Sequence, residues 1–161
     1  MNLRSKKRLN DKAPKIPPSV TLEVLNRQRV RKINPESLEK IAAATLDDLK
    51  IQGAELGIVL VGAKEMASLN ESFLGHEGPT DVITFDYSEP KRPAKVHGEI
   101  FICVSEAERQ AQAFGTDWQS EVIRYIIHGI LHLAGYDDLQ PVDWKKMKRE
   151  EERLVRKFWR P

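Results

Sequence analysis

Two histidines, His128 and His132, stand four residues apart in an apolar stretch that reads as a helix. Residues at this spacing share one helix face, so the two imidazoles can close on a single metal ion. Gly135 follows and predicts the end of the helix, because glycine takes the left-handed C-cap conformation without a Cβ penalty. The turned chain is then expected to bring Asp137 and Asp138 back toward the histidines.

The pattern H-x-x-x-H-x-x-G-x-x-D has the ligand spacing of the metzincin metalloproteases, with an aspartate in place of the third histidine. Gly129 stands where those proteases carry their general-base glutamate. Two histidines on an apolar helix also fit a core role, with their nitrogens satisfied by backbone carbonyls. The adjacent aspartates favour the metal, since a buried carboxylate pair is costly unless a cation meets it.

Three stretches resemble the YbeY family, bacterial metal-dependent endoribonucleases that act in ribosomal RNA maturation. The first is His-Gly-Ile-Leu-His-Leu-Ala-Gly-Tyr-Asp-Asp, residues 128–138. The second is Leu69-Asn70 followed by Pro-Thr-Asp-Val-Ile-Thr-Phe at 79–85, and the third is Gly-Glu-Ile at 98–100. They occur in the family order, so the resemblance covers about residues 20 to 155.

The resemblance implies an α+β, zincin-like fold: a small mixed four-stranded sheet with helices on its faces and one central metal-bearing helix. It implies one zinc ion, with His128, His132 and Asp138 as ligands. The implied function is a single-strand-specific endoribonuclease in late small-subunit rRNA processing and ribosome quality control. The implied partners are ribosomal RNA and the small ribosomal subunit, with assembly GTPases or ribosomal proteins as further candidates.

The chain departs from the family pattern at two positions. Asp138 replaces the family's histidine ligand; aspartate is an acceptable zinc ligand, so a site with one more negative charge is expected. Leu74 replaces an arginine thought to serve RNA cleavage, so we expect a slower nuclease. These departures keep open a non-catalytic ribosome-assembly factor with a structural metal. The metzincin spacing keeps open a metal-dependent peptidase, against which Gly129 argues.

The general base is not fixed by the sequence, and Asp137, Glu99 and His97 are the candidates. For Asp137 we favour a structural role in the turn, where aspartate commonly bonds its own backbone. Thr80 is interpreted either as a phosphate-binding residue or as an ordinary β-branched strand residue.

The chain has 161 residues, of which 40% are hydrophobic and 31% charged, as in an ordinary globular domain. No apolar run approaches the roughly 20 residues that span a bilayer, so no membrane partner is expected. The lone cysteine, Cys103, suits a reducing cytoplasm. We predict a flexible basic arm over residues 1–18 and a single domain over 19–161.

The net charge is only +2, but cations concentrate at both ends. Phosphate neutralisation would explain them, and the alternative is a solvated tail plus a salt-bridged surface helix. The candidate RNA contacts in the arm are Arg4, Lys6, Lys7 and Arg8.

Hydrophobic periodicity predicts four strands, at 19–26, 55–62, 81–87 and 96–104. Helices are predicted from 35 to about 50, 63–73, 105–114, 117–134 and 141 to about 158. Ser105 is expected to cap its helix, with Glu108 at the capping-box position. Phe73 and Trp144 are expected to face inward.

Overall fold

The computed structural model describes residues 19–89 and 95–161, and these form four strands and five helices. The predicted arm, 1–18, lies outside the described residues, as do residues 90–94. The strands are β1 (Val20–Asn26), β2 (Gly53–Val61), β3 (Val82–Asp86) and β4 (Lys95–Cys103). The helices are α1 (Pro35–Asp48), α2 (Ala63–Leu74), α3 (Val104–Phe114), α4 (Trp118–Leu133) and α5 (Pro141–Phe158).

The strands form one mixed sheet in the order β1-β2-β4-β3, which confirms the predicted four-stranded architecture. β1, β2 and β4 run parallel, and β3 pairs with β4 antiparallel at one edge. β2 ends in four consecutive buried residues, Ile58 to Val61, because both faces of this inner strand are covered. The antiparallel edge strand β3 lies beside the central helix α4, which carries the two histidines.

Helices cover both faces of the sheet, as predicted. Residues of α1, α3 and α4 join the main core on one face. Met66 of α2 packs on the opposite face, against Val59, Ile83 and Cys103. α5 packs on the outer side of α4 through Met147 and other apolar residues, so α4 is enclosed between the sheet and α5.

Two glycines let α4 lie very close to the sheet. A Cβ added at Gly129 would come within 2.7 to 2.9 Å of three carbons of Ile100. A Cβ at Gly98 on β4 would come within 2.4 Å of the Phe85 carbonyl and 2.7 Å of Leu133. Close approach of two backbones is one of the few reasons for glycine inside regular structure. The tight packing fixes the end of α4 beside β3.

The predicted helix ends at both α1 and α4 are confirmed. Asn34 caps α1, accepting a hydrogen bond from the Glu36 amide at 3.0 Å, and Pro35 occupies the first turn. Gly135 follows α4 with φ +101°, a conformation that an L side chain rarely adopts.

Three details of the prediction are wrong. Ser105 does not cap α3: β4 runs directly into the helix, Cys103 is the N-cap without a side-chain bond, and Glu108 pairs instead with Arg31 at 2.7 Å. Phe73 is 63% exposed: it lies in the last turn of α2, where its ring meets Phe85 of the edge strand edge-on. Trp144 is 50% exposed at the first turn of α5, beside a cleft.

Candidate metal centre

The last two turns of α4 and the turn after it bring His128, His132 and Asp138 together. The two Nε2 atoms lie 3.1 Å apart. Asp138 Oδ2 lies 3.4 Å from Nε2 of His132 and 4.0 Å from Nε2 of His128. Backbone bonds from Gly135 to His132 and from Tyr136 to Leu131, both 3.0 Å, hold the turn that returns the aspartate. The glycine break is therefore what completes the cluster.

The spacing of these atoms fits a tetrahedral metal ion. Zinc–nitrogen and zinc–oxygen bonds of about 2.0–2.1 Å place neighbouring tetrahedral ligands about 3.3 Å apart. The observed separations range from 3.1 to 4.0 Å. Two neutral imidazole nitrogens facing each other repel through their lone pairs unless a proton or a cation lies between them. The donor set of two imidazoles and one carboxylate therefore suits a divalent ion with an open position.

Glu151 of α5 orients His128 from behind. It is 5% exposed, and its Oε1 lies 3.1 Å from His128 Nδ1. Burial raises the pKa of Glu151, but hydrogen bonds from His128 and Lys148 outweigh burial, so the net pKa is lowered and the carboxylate is charged. A proton held on Nδ1 leaves Nε2 free for a metal, which is the usual carboxylate–histidine–metal arrangement.

Glu151 was not among the site residues predicted from the sequence. A signal for it was present in the sequence, because Glu151 stands among apolar residues of α5 and a charged residue is rarely buried without a partner. Its partners besides His128 are Lys148 at 3.0 Å and Arg124 at 3.4 Å.

The structure separates the three general-base candidates. Asp137 is exposed, and its Oδ1 accepts hydrogen bonds from the amides of Asp138 at 2.7 Å and Leu139 at 3.1 Å, which is the turn role. His97 and Glu99 alternate with Gly98 along β4, and Gly98 faces α4. Because successive strand residues point to opposite faces, His97 and Glu99 lie on the far side of the sheet from the histidine pair. Both were wrong as candidates for this site.

Asp81, just before β3, is a residue of the site that sequence reasoning passed over. It lines both of the cavities that His128 and Asp138 line. Its Oδ1 accepts the Val82 amide at 2.8 Å and the Thr80 hydroxyl at 3.3 Å. Thr80 therefore contacts the site through Asp81 and lines neither cavity.

The two cavities share Asp81, Val82, His128 and Asp138 in their linings, so they adjoin and form one cleft. A cavity of about 450 Å³ lies between α3, α4 and α5. A second, of about 530 Å³, follows the edge strand β3 and includes Leu74, which is 49% exposed. The Asn70 amide donates to the Gly78 carbonyl at 2.8 Å and ties the loop before β3 to α2. The cleft leaves an extended ligand free to pass over the metal centre from both sides.

The family model described as Endoribonuclease YbeY matches residues 23–159. The chain belongs to the YbeY family. An Endoribonuclease YbeY of Chlorobium luteolum is 32% identical over 139 residues, covering 86% of this chain and 98% of the relative. The Aquifex aeolicus relative of the same name is 35% identical over 132 residues, covering 82% and 88%. The assignment confirms the predicted enzyme class, a hydrolase that cuts RNA internally.

A solved structure supports the YbeY fold. The solution structure of TM1509 from Thermotoga maritima matches with a TM-score of 0.63 at 29% identity, covering 86% of this chain and 89% of that one. The YbeY family is metal-dependent, and His128, His132 and Asp138 form a cluster that can hold a metal ion. None of the described helices is long and apolar enough to cross a membrane.

Proposed function

We propose that the protein is a zinc-dependent, single-strand-specific endoribonuclease that processes ribosomal RNA precursors, late in maturation of the small subunit and in its quality control. It works in the cytoplasm, where that substrate is found. Family membership supports the reaction. The observation that carries the proposal is the convergence of His128 Nε2, His132 Nε2 and Asp138 Oδ2 within 4.8 Å of one another, at the centre of an open cleft.

Each residue of the centre has a separate task in the proposal. His128, His132 and Asp138 hold the ion, and Glu151 keeps the Nε2 lone pair of His128 aimed at it. The chemistry that zinc supplies when bound is a water with its pKa lowered to about 7 and polarisation of a phosphoryl oxygen. The Asp81 oxygen Oδ2 accepts no hydrogen bond within residues 19–89 and 95–161, and Asp81 lines the same cleft as His128 and His132, so Asp81 is our candidate proton acceptor. Asp137 and Thr80 then support the site through the turn and through Asp81.

The peptidase alternative fails on the packing of α4. The glutamate that such enzymes place after the first histidine would stand at position 129. That position faces Ile100 with no room for a Cβ. A base at this point of the helix is therefore sterically excluded, whereas RNA cleavage can take its base from the opposite wall of the cleft.

Leu74 stands on the wall where the resemblance places a cleavage-assisting arginine. It lines the β3 cavity together with His132 and Asp138. Without that cation the enzyme is expected to be slow, by about a hundredfold or more. Leu74→Arg should raise metal-dependent cleavage without a comparable change in RNA affinity. A gain that survives chelation would contradict this assignment.

The basic arm is proposed as a second RNA contact. Arg4, Lys6, Lys7 and Arg8 lie outside the described residues, so the support is their charge alone. Deleting residues 1–15 should weaken RNA binding and flatten its salt dependence. An unchanged salt slope would make the arm a solvated tail.

The deciding experiment compares cleavage of a single-stranded fragment of small-subunit precursor RNA with cleavage of the same sequence in a duplex. We expect zinc in the purified protein, cleavage of the single strand only, loss on chelation and recovery with zinc. Cleavage that survives complete metal removal would overturn the metal mechanism. Zinc and RNA binding without cleavage, even after Leu74→Arg, would favour a non-catalytic assembly factor instead.

A further inference from the structure

The cavity of about 450 Å³ beside the metal centre has an aromatic rim. Trp144 and Phe114 both line it and are 50% and 74% exposed. His128 and Asp138 also line it. Exposed aromatic faces next to a reaction centre offer stacking surface at little cost in side-chain entropy.

Carboxylates dominate the inside of this cavity. They outnumber the cations, and the two cations, Arg124 and Lys148, are already paired with Glu152 at 2.6 Å and with Glu151 at 3.0 Å. Apart from the metal centre, where a bound cation would attract the scissile phosphate, such an interior repels a phosphate. It offers acceptors to the exocyclic amino groups of a base, and the aromatic rim offers a surface to the face of that base. The carboxylates are Asp81, Glu121, Asp138, Glu151 and Glu152.

The outer face of α5 has the opposite character. Four exposed cations there form no ion pair within the described residues: Lys145, Lys146, Arg149 and Arg156. The other cations of α5, Lys148, Arg153 and Lys157, are all paired. Lys145 and Arg149 lie one turn apart, about 6 Å along the helix, and each follows a cavity-lining residue, Trp144 or Lys148, about 100° around the helix axis. Unpaired cations thus begin where the aromatic rim ends.

We infer that the first half of α5 binds the strand adjacent to the scissile phosphate: one base stacks on Trp144 in the cavity, and the following phosphates lie along Lys145 and Arg149. This inference rests on the proposed function and assigns a substrate-binding surface to it. An aromatic platform beside a cationic track is the recurring arrangement in proteins that bind single strands. A base paired in a duplex cannot enter the cavity, so the same surface selects single strands.

The test measures binding of a fluorescein-labelled single-stranded 12-nucleotide RNA to the full chain in chelator, where it is not cut. Trp144→Ala should weaken binding about tenfold, while Trp144→Phe keeps near-normal affinity because a stacking face remains. An RNA of the same length with abasic sites should not distinguish Trp144→Ala from the unmodified protein. Equal affinity of Trp144→Ala and the unmodified protein for the normal RNA would overturn the stacking.

The cationic track has its own readout. Lys145→Gln with Arg149→Gln should reduce the slope of log affinity against log salt by about 1.4, or about 0.7 for each phosphate that the protein no longer neutralises. The matched control is Lys40→Gln with Lys64→Gln, which removes the same charge from exposed positions of α1 and α2. An equal change in the control pair, or no change in the α5 pair, would overturn the track.

Comparing RNA cleavage by the unmodified zinc-loaded protein with RNA binding by the α5 variants separates this inference from the proposed function. If the unmodified protein cuts RNA while the α5 variants bind it normally, the inference fails and the function stands. If the unmodified protein cuts no RNA but Trp144→Ala still binds it tenfold more weakly, the function fails and the binding surface stands.

Discussion

The two faces of the sheet carry the same kinds of polar residue, arranged in opposite ways. On the face away from α4, His97 pairs with Glu55 at 3.4 Å, Lys95 pairs with the same glutamate at 3.2 Å, and the Tyr87 hydroxyl donates to Glu99 at 2.9 Å. On the α4 side, the nitrogens of His128 and His132 face each other and a carboxylate. The residues on the face away from α4 are paired with one another, whereas on the α4 side the acceptor atoms converge.

The difference teaches what distinguishes a site from a charged surface. The self-paired residues are about half exposed, so water screens them and they need no ligand. The two histidine side chains are each 28% exposed, and His128 is backed by the buried carboxylate of Glu151. Acceptors that converge in a partly desolvated place are stabilised by a proton or a cation between them, and this arrangement predicts chemistry better than residue type does.

The largest effect should come from removing a histidine of the converging set. His132→Ala leaves two protein ligands, so zinc affinity should fall by more than about a hundredfold, beyond what loss of an outer partner costs. RNA cleavage should fall to background. His97→Ala on the other face is the matched control and should change neither zinc affinity nor cleavage. Titration with a competing zinc chelator measures the affinity, and a comparable loss in both variants would erase the distinction between the faces.

A smaller effect is expected from Glu151, which acts on the ion only through His128. Glu151→Gln should lower zinc affinity about ten- to hundredfold, since outer hydrogen-bond partners of metal ligands typically contribute that much. Glu99→Gln is the matched change on the opposite face and should leave zinc binding intact. The cobalt-substituted protein gives a second readout, because a misoriented imidazole alters the visible absorption of the ion. Unchanged affinity and spectrum in Glu151→Gln would reduce Glu151 to a packing role.

Much of the centre was predictable from the sequence because it lies in one continuous stretch. Helical periodicity placed His128 and His132 on one face, and Gly135 predicted the turn that returns Asp138. Glu151 and Asp81 were missed because their proximity depends on how α5 and β3 pack against α4. The error over His97 and Glu99 has the same origin: only the strand register shows which face of β4 they occupy.

Gly129 and Gly57 allow the packing itself to be compared between the faces. An added Cβ at Gly129 meets Ile100 at 2.7 Å, whereas one at Gly57 meets Glu99 Cγ at 3.4 Å, an ordinary contact. Overpacking typically costs about 1–3 kcal/mol, and the better helix propensity of alanine returns up to about 1 kcal/mol. Gly129→Ala should therefore lower the free energy of unfolding by about 1–2 kcal/mol.

Gly57→Ala should leave the free energy of unfolding within about 0.5 kcal/mol of the unmodified value, as is usual for substitutions that strain nothing. Urea denaturation of both variants measures the difference. Equal stabilities would mean that α4 does not depend on close contact with β4, and the steric argument against a base at position 129 would fall with it.

We expect the smallest effect on the face away from α4, where the polar residues are paired with one another. Tyr87→Phe removes the hydroxyl that donates a hydrogen bond to Glu99. Because Tyr87 is 48% exposed, the free energy of unfolding at pH 7 should fall by only about 0.5 kcal/mol. Partial burial and then the bond to Glu99 raise the pKa of Tyr87 above its ordinary value of 10.0. A raised pKa means that the folded state holds the proton more tightly. The stabilisation that the Tyr87 hydroxyl contributes is therefore fully present below pH 10 and is lost as the pH rises through the folded-state pKa of Tyr87.

Urea denaturation at pH 7, 9 and 10.5 measures the difference in the free energy of unfolding between the unmodified protein and Tyr87→Phe. We expect the same difference at pH 7 and pH 9 and a smaller difference at pH 10.5. Tyr136→Phe is the control, because the Tyr136 hydroxyl forms no hydrogen bond within the described residues. A difference in the free energy of unfolding of 2 kcal/mol or more, or one that increases above pH 10, would contradict this prediction. The face away from α4 would then depend on its polar pairs as strongly as the α4 side depends on its polar residues. The contrast between an inert paired surface and a reactive converging one would then need another explanation.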